Sequence, residues 1–156
     1  MLISRRISLR DSRPNQGSSP TVREGATLGE ELSQVSNNKD IAISFLKLAA
    51  SGKLDEAYSK VSSKFRHHNP HFKGDAESLK AGMADAHKQF PNTKLDIQRA
   101  IAEGDLVAVH SRVQHAPDTV AIAVVHIFRF EGDEIAELWD VGMEVPKDSP
   151  NENGVF

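Results

Sequence analysis

The chain has no cysteine, and that absence removes disulfide staples, thiolate nucleophiles and thiolate metal sites together. It also lacks any apolar run near the roughly 20 residues a membrane-spanning helix needs, and no secretory signal core follows Arg5 and Arg6. Basic excess is missing as well. Lys and Arg number 19 against 22 Asp and Glu, a formal net charge of -3, so no overall positive field exists to hold a phosphate backbone. Neither a glycine-rich phosphate loop nor a Gly-x-Ser-x-Gly elbow is present, so nucleotide-dependent and serine-hydrolase chemistry lack their parts. The expectations are no nucleic acid partner, no membrane span and a cytoplasmic location.

With 156 residues and 38% hydrophobic content, the chain can bury one core rather than two. Residues 1–37 mix Ser, Arg, Gly, Pro and Gln without a sustained apolar period, and read as a disordered N-terminal extension. Arg and Ser with little acid also fit an organelle targeting peptide, and a misplaced start codon would give the same pattern. One domain is expected over 38–146, followed by a C-terminal tail over 147–156.

Within the domain, Asn37 or Asn38 is positioned to cap a helix whose apolar residues Ile41, Phe45, Leu48 and Ala49 fall at helical spacing. Leu54, Ala57, Tyr58 and Val61 give a second short helix. Lys64 to His68 reads as a strand ended by Pro70. Asp75 caps a third helix with a stripe of Leu79, Met83, His87 and Phe90, which Pro91 stops. From there the period is two: Lys94–Glu103, Leu106–His115, Thr119–Phe130 and Ile135–Met143 are four expected strands with turns between them. Helices first and an antiparallel meander after predict an α+β domain, with the helices on one face of a curved sheet.

Several motifs stand in order along the chain: His68-Asn69-Pro70, Ile101-Ala102-Glu103-Gly104-Asp105-Leu106-Val107, Val124-Val125-His126-Ile127-Phe128-Arg129-Phe130, Leu138-Trp139-Asp140-Val141 and Asn151-Glu152-Asn153-Gly154-Val155-Phe156. Together they resemble the SnoaL-like polyketide cyclases of the nuclear transport factor 2-like superfamily, in the group predicted to catalyse aldol condensations. The resemblance implies a cone-shaped barrel with three N-terminal helices on a mostly antiparallel sheet. It further implies a pocket between helices and sheet, cofactor-free acid–base chemistry on a small apolar carbonyl substrate, and a homodimer. Two positions depart from the group. His126 stands where members commonly carry Asp, and Leu138 where many carry His. In ketosteroid isomerases the positions matching Asn69 and His126 are both Asp, so that chemistry is not directly available. Characterised cyclases pair His with Asp, as His126 and Asp140 do here.

His126 is the one polar residue on a strand face shared with Val120, Ile122, Val124, Phe128 and Phe130. Burial there would keep its ring neutral near pH 7 and able to donate to an oxyanion, or make it a core histidine bonded to a carbonyl. Asp140 beside Trp139 suits general acid–base work if the indole partly dries it. Its face depends on the hairpin. A turn on Gly132-Asp133 with Glu131 opposite Glu134 pairs His126 with Trp139, whereas a longer loop or a bulge pairs His126 with Asp140. The resemblance requires the second arrangement. Asn69 before Pro70 sits at the expected rim, able to bind a carbonyl or to form an Asx turn. His68, Trp139 and Phe128 are taken as substrate-binding. The cluster His67, His68 and His71 lacks a metal-binding pattern, and no metal or cofactor is expected. Ala121, Ala123, Val125 and Ile127 form the other face of their strand, apolar enough for a self-pairing sheet.

Overall fold

A computed structural model describes residues 25–156. Its first element, helix α1 (Leu28–Ala50), starts well before the expected cap at Asn37 or Asn38. Thr27 takes that role through a capping box. Its hydroxyl accepts from the Glu30 N–H, while the Glu30 carboxylate accepts from the Thr27 N–H at 2.7 Å. The first turns are helical for this local reason rather than for burial, since Leu28 and Leu32 are exposed. Asn38 is instead buried mid-helix and accepts from Gln34, whose amide also donates to the Gly132 carbonyl in a distant turn. The portion 28–37 of the expected extension is thus ordered helix, and residues 1–24 lie outside the described residues.

After α1 come helix α2 (Leu54–Tyr58), strand β1 (Val61–His67) and helix α3 (Ala76–Gln89). Asp75 caps α3 as expected, accepting from the Ser78 N–H at 2.7 Å, and the helix stops ahead of Phe90 and Pro91. Four strands follow: β2 (Lys94–Glu103), β3 (Leu106–Gln114), β4 (Ile122–Glu131) and β5 (Glu134–Glu144). They pair as an antiparallel meander, and β1 joins β5 in parallel to give the order β1-β5-β4-β3-β2. The fold is α+β with a curved five-stranded sheet that keeps two edges, β1 and β2, and does not close. Among the described residues no helix is long and apolar enough to cross a membrane.

Alternation along each strand sorts the sheet into two faces. The inward face carries Val107 and Val109 on β3, Phe128 and Phe130 on β4, and Ile135 and Leu138 on β5, all buried against the helices. Phe45 of α1 meets Phe128 edge-on with ring centroids 5.7 Å apart. Outward stand Ala123, Val125 and Ile127 of β4, with Ile101, Leu106, Val141 and Met143 exposed around them. The tail crosses part of this outward face, where Phe156 stacks on His110 and lies under the Arg112 guanidinium.

Candidate functional site

The β4–β5 hairpin decides where the candidate residues point. It turns on Gly132-Asp133 with Glu131 opposite Glu134, the arrangement that by itself would send Asp140 outward. A bulge intervenes. Phe130 pairs with Ile135, but Arg129 pairs with Glu137, so Ala136 is an extra residue on β5 and every later partner shifts by one. His126 therefore stands directly opposite Asp140, and Phe128 opposite Leu138. Both members of the pair face inward and are half-buried. Gly142, the next inward position on β5, is exposed and leaves this end of the sheet open.

Asp140 is held from β1's side. Pro70 fixes the end of that strand, and the Asn69 side-chain amide donates to an Asp140 carboxylate oxygen at 2.7 Å. The Asn69 side-chain oxygen meanwhile accepts from the His71 N–H at 3.0 Å, so the Asx turn and the polar contact coexist in one side chain. His126 has a buried Nδ1 with no hydrogen-bond partner among the described residues. Burial pulls its pKa down to about 4, and the nearby Asp140 charge only partly opposes this, so the ring is neutral near pH 7.

The remaining predicted residues go elsewhere. Trp139 pairs with Ile127 on the outward face, and the expected indole-against-carboxylate contact does not form, because adjacent residues of a strand point to opposite sides. His68 follows it outward, its ring parallel to the indole at 4.8 Å. The structure thus separates His68 and Trp139 from the His126–Asp140 pair. Phe128 shares the inward face but is fully buried in the core beneath His126. His67 points inward while His68 points outward, and no group of metal-binding side chains converges among the described residues. An open hollow between α1 and α2, lined by Ile41, Ser44, Leu48 and Glu56 among others, contains none of these side chains.

Sequence reasoning missed Glu137. It is only 7% exposed, on the outward face, and receives Arg129 at 2.9 Å, Arg66 at 3.2 Å and His68 at 2.8 Å. Burial pushes its pKa up, but bonds from His68, Arg129 and Arg66, with the Arg66 charge, more than offset this and hold the carboxyl below its usual range. Its signal was the register, since Arg129 and Glu137 become neighbours only once the bulge is known.

The fold agrees with that of known proteins. The family profile described as SnoaL-like domain matches residues 42–138, which include α2, β1, α3 and the strands through Leu138 of β5. AclR of Streptomyces galilaeus, a candidate hydroxylase, is 20% identical, with a TM-score of 0.62 over 70% of this chain and 90% of its own. A candidate SnoaL-like polyketide cyclase of Jannaschia sp. CCS1 is 18% identical, with a TM-score of 0.61 over 70% of this chain and 87% of its own. A nuclear transport factor 2-like protein of unknown function from Cytophaga hutchinsonii is 16% identical, with a TM-score of 0.56 over 68% of this chain and 89% of its own. No curated protein matches. Likeness at such identity shows the fold alone, whereas the profile match covers most of the chain: it belongs to the SnoaL-like domain family.

Proposed function

We propose that the protein is an enzyme of cofactor-free acid–base chemistry on a carbonyl compound, performing an aldol condensation, cyclisation or isomerisation. The observation that supports this best is the bulge-set register that faces His126 with Asp140 on the half-open inward side. Asp140, held in one orientation by Asn69, removes the proton next to the carbonyl. Neutral His126 donates to the oxygen on which negative charge develops; in an isomerisation the proton returns to carbon, and in a condensation or cyclisation the enolate carbon attacks a second carbonyl, whose oxygen takes the proton as its C=O π bond breaks. The Asn69 amide acts as the positioning group for the base, because one of its two N–H donors is engaged by the carboxylate.

Solvent deuterium exchange at the α-carbon of simple ketones tests this without knowing the natural substrate. The unaltered protein accelerates exchange, and Asp140→Asn lowers the rate about 100- to 10,000-fold at unchanged thermal stability. Full exchange in that variant would falsify the role of Asp140.

The same fold also serves as a binding or dimerisation module, and one observation favours self-pairing beside catalysis. Exposed Ile101, Leu106, Val141 and Met143 flank the small residues Ala108 and Ala123 on the outward face. Small residues let two sheets approach closely, so a second copy of this chain is the proposed occupant.

A further inference from the structure

His67 is 5% exposed on the inward side of β1, beside Leu138 and next in line to Asp140. Its Nδ1 accepts from the Asn69 backbone N–H at 3.2 Å. An imidazole nitrogen that accepts carries no proton, so the neutral ring's one proton is on Nε2. That Nε2 is buried and has no partner among the described residues. An N–H donor buried without an acceptor destabilises the fold unless something supplies the acceptor. The ring's flanks offer none, for it lies between Phe65 and Phe72 with centroids 6.2 Å and 6.1 Å away, and the nearby Asp75 carboxylate accepts from the Ser78 N–H instead. Phe72 in turn is seated on Gly82 of α3, where a Cβ would collide with its ring.

One residue, Asn69, joins this donor to the proposed base. Its backbone N–H fixes the tautomer of His67, and its side chain holds Asp140. The charge balance of the face limits what is bound there. No Lys or Arg occupies an inward position of β2 to β5, and Arg66 and Arg129 are turned outward toward Glu137. A carboxylate or phosphate brought beside Asp140 would meet like charge with no counter-ion from these strands.

Building on the acid–base reading, we infer that His67 is a ligand-contacting residue whose Nε2–H donates to an uncharged acceptor oxygen, a carbonyl, ether or hydroxyl, bound beside Asp140. The substrate therefore presents an oxygen to His67 and is neutral overall in that region.

Titration of the full chain with cyclohexanone, followed by the side-chain ¹⁵N resonances of histidine, tests this, with cyclohexanecarboxylate as the charged counterpart. Cyclohexanone is expected to shift the His67 Nε2 resonance, and the carboxylate at equal concentration to leave it in place. In His67→Phe the affinity for cyclohexanone falls about five- to tenfold while the unfolding midpoint is unchanged or rises, because an unsatisfied donor is gone. His67→Gln, which keeps an N–H donor, retains affinity within about twofold. An unmoved Nε2 resonance, equal affinity in the Phe variant, or tighter binding of the carboxylate each overturns the inference. Should His67→Phe fail to fold, the resonance shift and the Gln variant decide alone. Asp140→Asn separates the two readings: retained exchange removes the acid–base role, while the His67 shift in cyclohexanone is scored independently in the same variant.

Discussion

Glu137 on the outward face and the histidines on the inward face are in opposite condition, although Arg112 Nε on the outward side is also buried without a partner among the described residues. Outward, Glu137 is surrounded by Arg66, His68 and Arg129, and its oxygens are fully engaged. Inward, His67 Nε2, Ser111 Oγ and His126 Nδ1 are buried without partners among the described residues. A satisfied network stabilises and orients, and asks nothing more of its surroundings. Unmatched polar atoms on an otherwise apolar face are costly to folding, and those of His67 and His126 lie on the same face as a half-open carboxylate. The outward cluster had the richer chemistry on paper, with an acid, two guanidiniums and a histidine stacked on Trp139. It is the poorer candidate for catalysis because nothing in it is left to react.

The sharpest way to break this comparison is to cut the outward network. Glu137→Ala leaves Arg129 without its buried acceptor and is expected to lower the unfolding free energy by about 3 kcal/mol, reduced from the fully buried case because Arg66 and His68 remain solvated. Ketone exchange should persist in the folded fraction. Loss of exchange at intact stability would instead make the outward face part of the site.

A smaller effect sharpens the inward side. The folded pKa of His126 is about 4 against 6.5 for the free side chain, so between those values the unfolded chain binds a proton that the folded one refuses. Stability contributed by burying the neutral ring is present above about pH 6.5 and lost as pH falls toward 4, by about 2 kcal/mol for a half-buried group. Urea unfolding across that window should show the slope, and His126→Gln should flatten it. An identical slope in both proteins excludes neutral burial of His126 as its source.

The least energetic change concerns association. Sedimentation velocity should give twice the chain mass, and Val141→Asp, at an exposed outward position, should return the single-chain mass with the fold intact. A single-chain mass for the unaltered protein removes the proposed self-pairing.

Much of the fold was legible because strand period and turn chemistry agree along the second half of the chain. The expected Lys94–Glu103 coincides with β2, and the other three strands differ only at their ends. The beginning of α1 was not legible, since its first turns bury little and rest on a capping box at Thr27. At the site, His126, Asp140 and Asn69 come together, but the face of Asp140 was open in the sequence because a bulge leaves no compositional mark. Trp139 was assigned to a pocket on its chemistry, and its parity sends it outward to His68. His67 looked like one of three interchangeable histidines until its hydrogen bond to the Asn69 backbone distinguished it.

The extra residue Ala136 acts on the hairpin as a frameshift acts on a message. Everything between the turn and the bulge keeps its phase, and everything beyond it is read on the opposite side. Taking that one alanine into regular pairing, without touching a single polar group, would offer Trp139 to the cleft and turn Asp140 away from His126, whereas deleting it would straighten the strand and leave the pair opposed. Whether the strand bulges beside its turn thus decides which side chains are displayed some distance along it, and the residue that settles this is not itself a polar one.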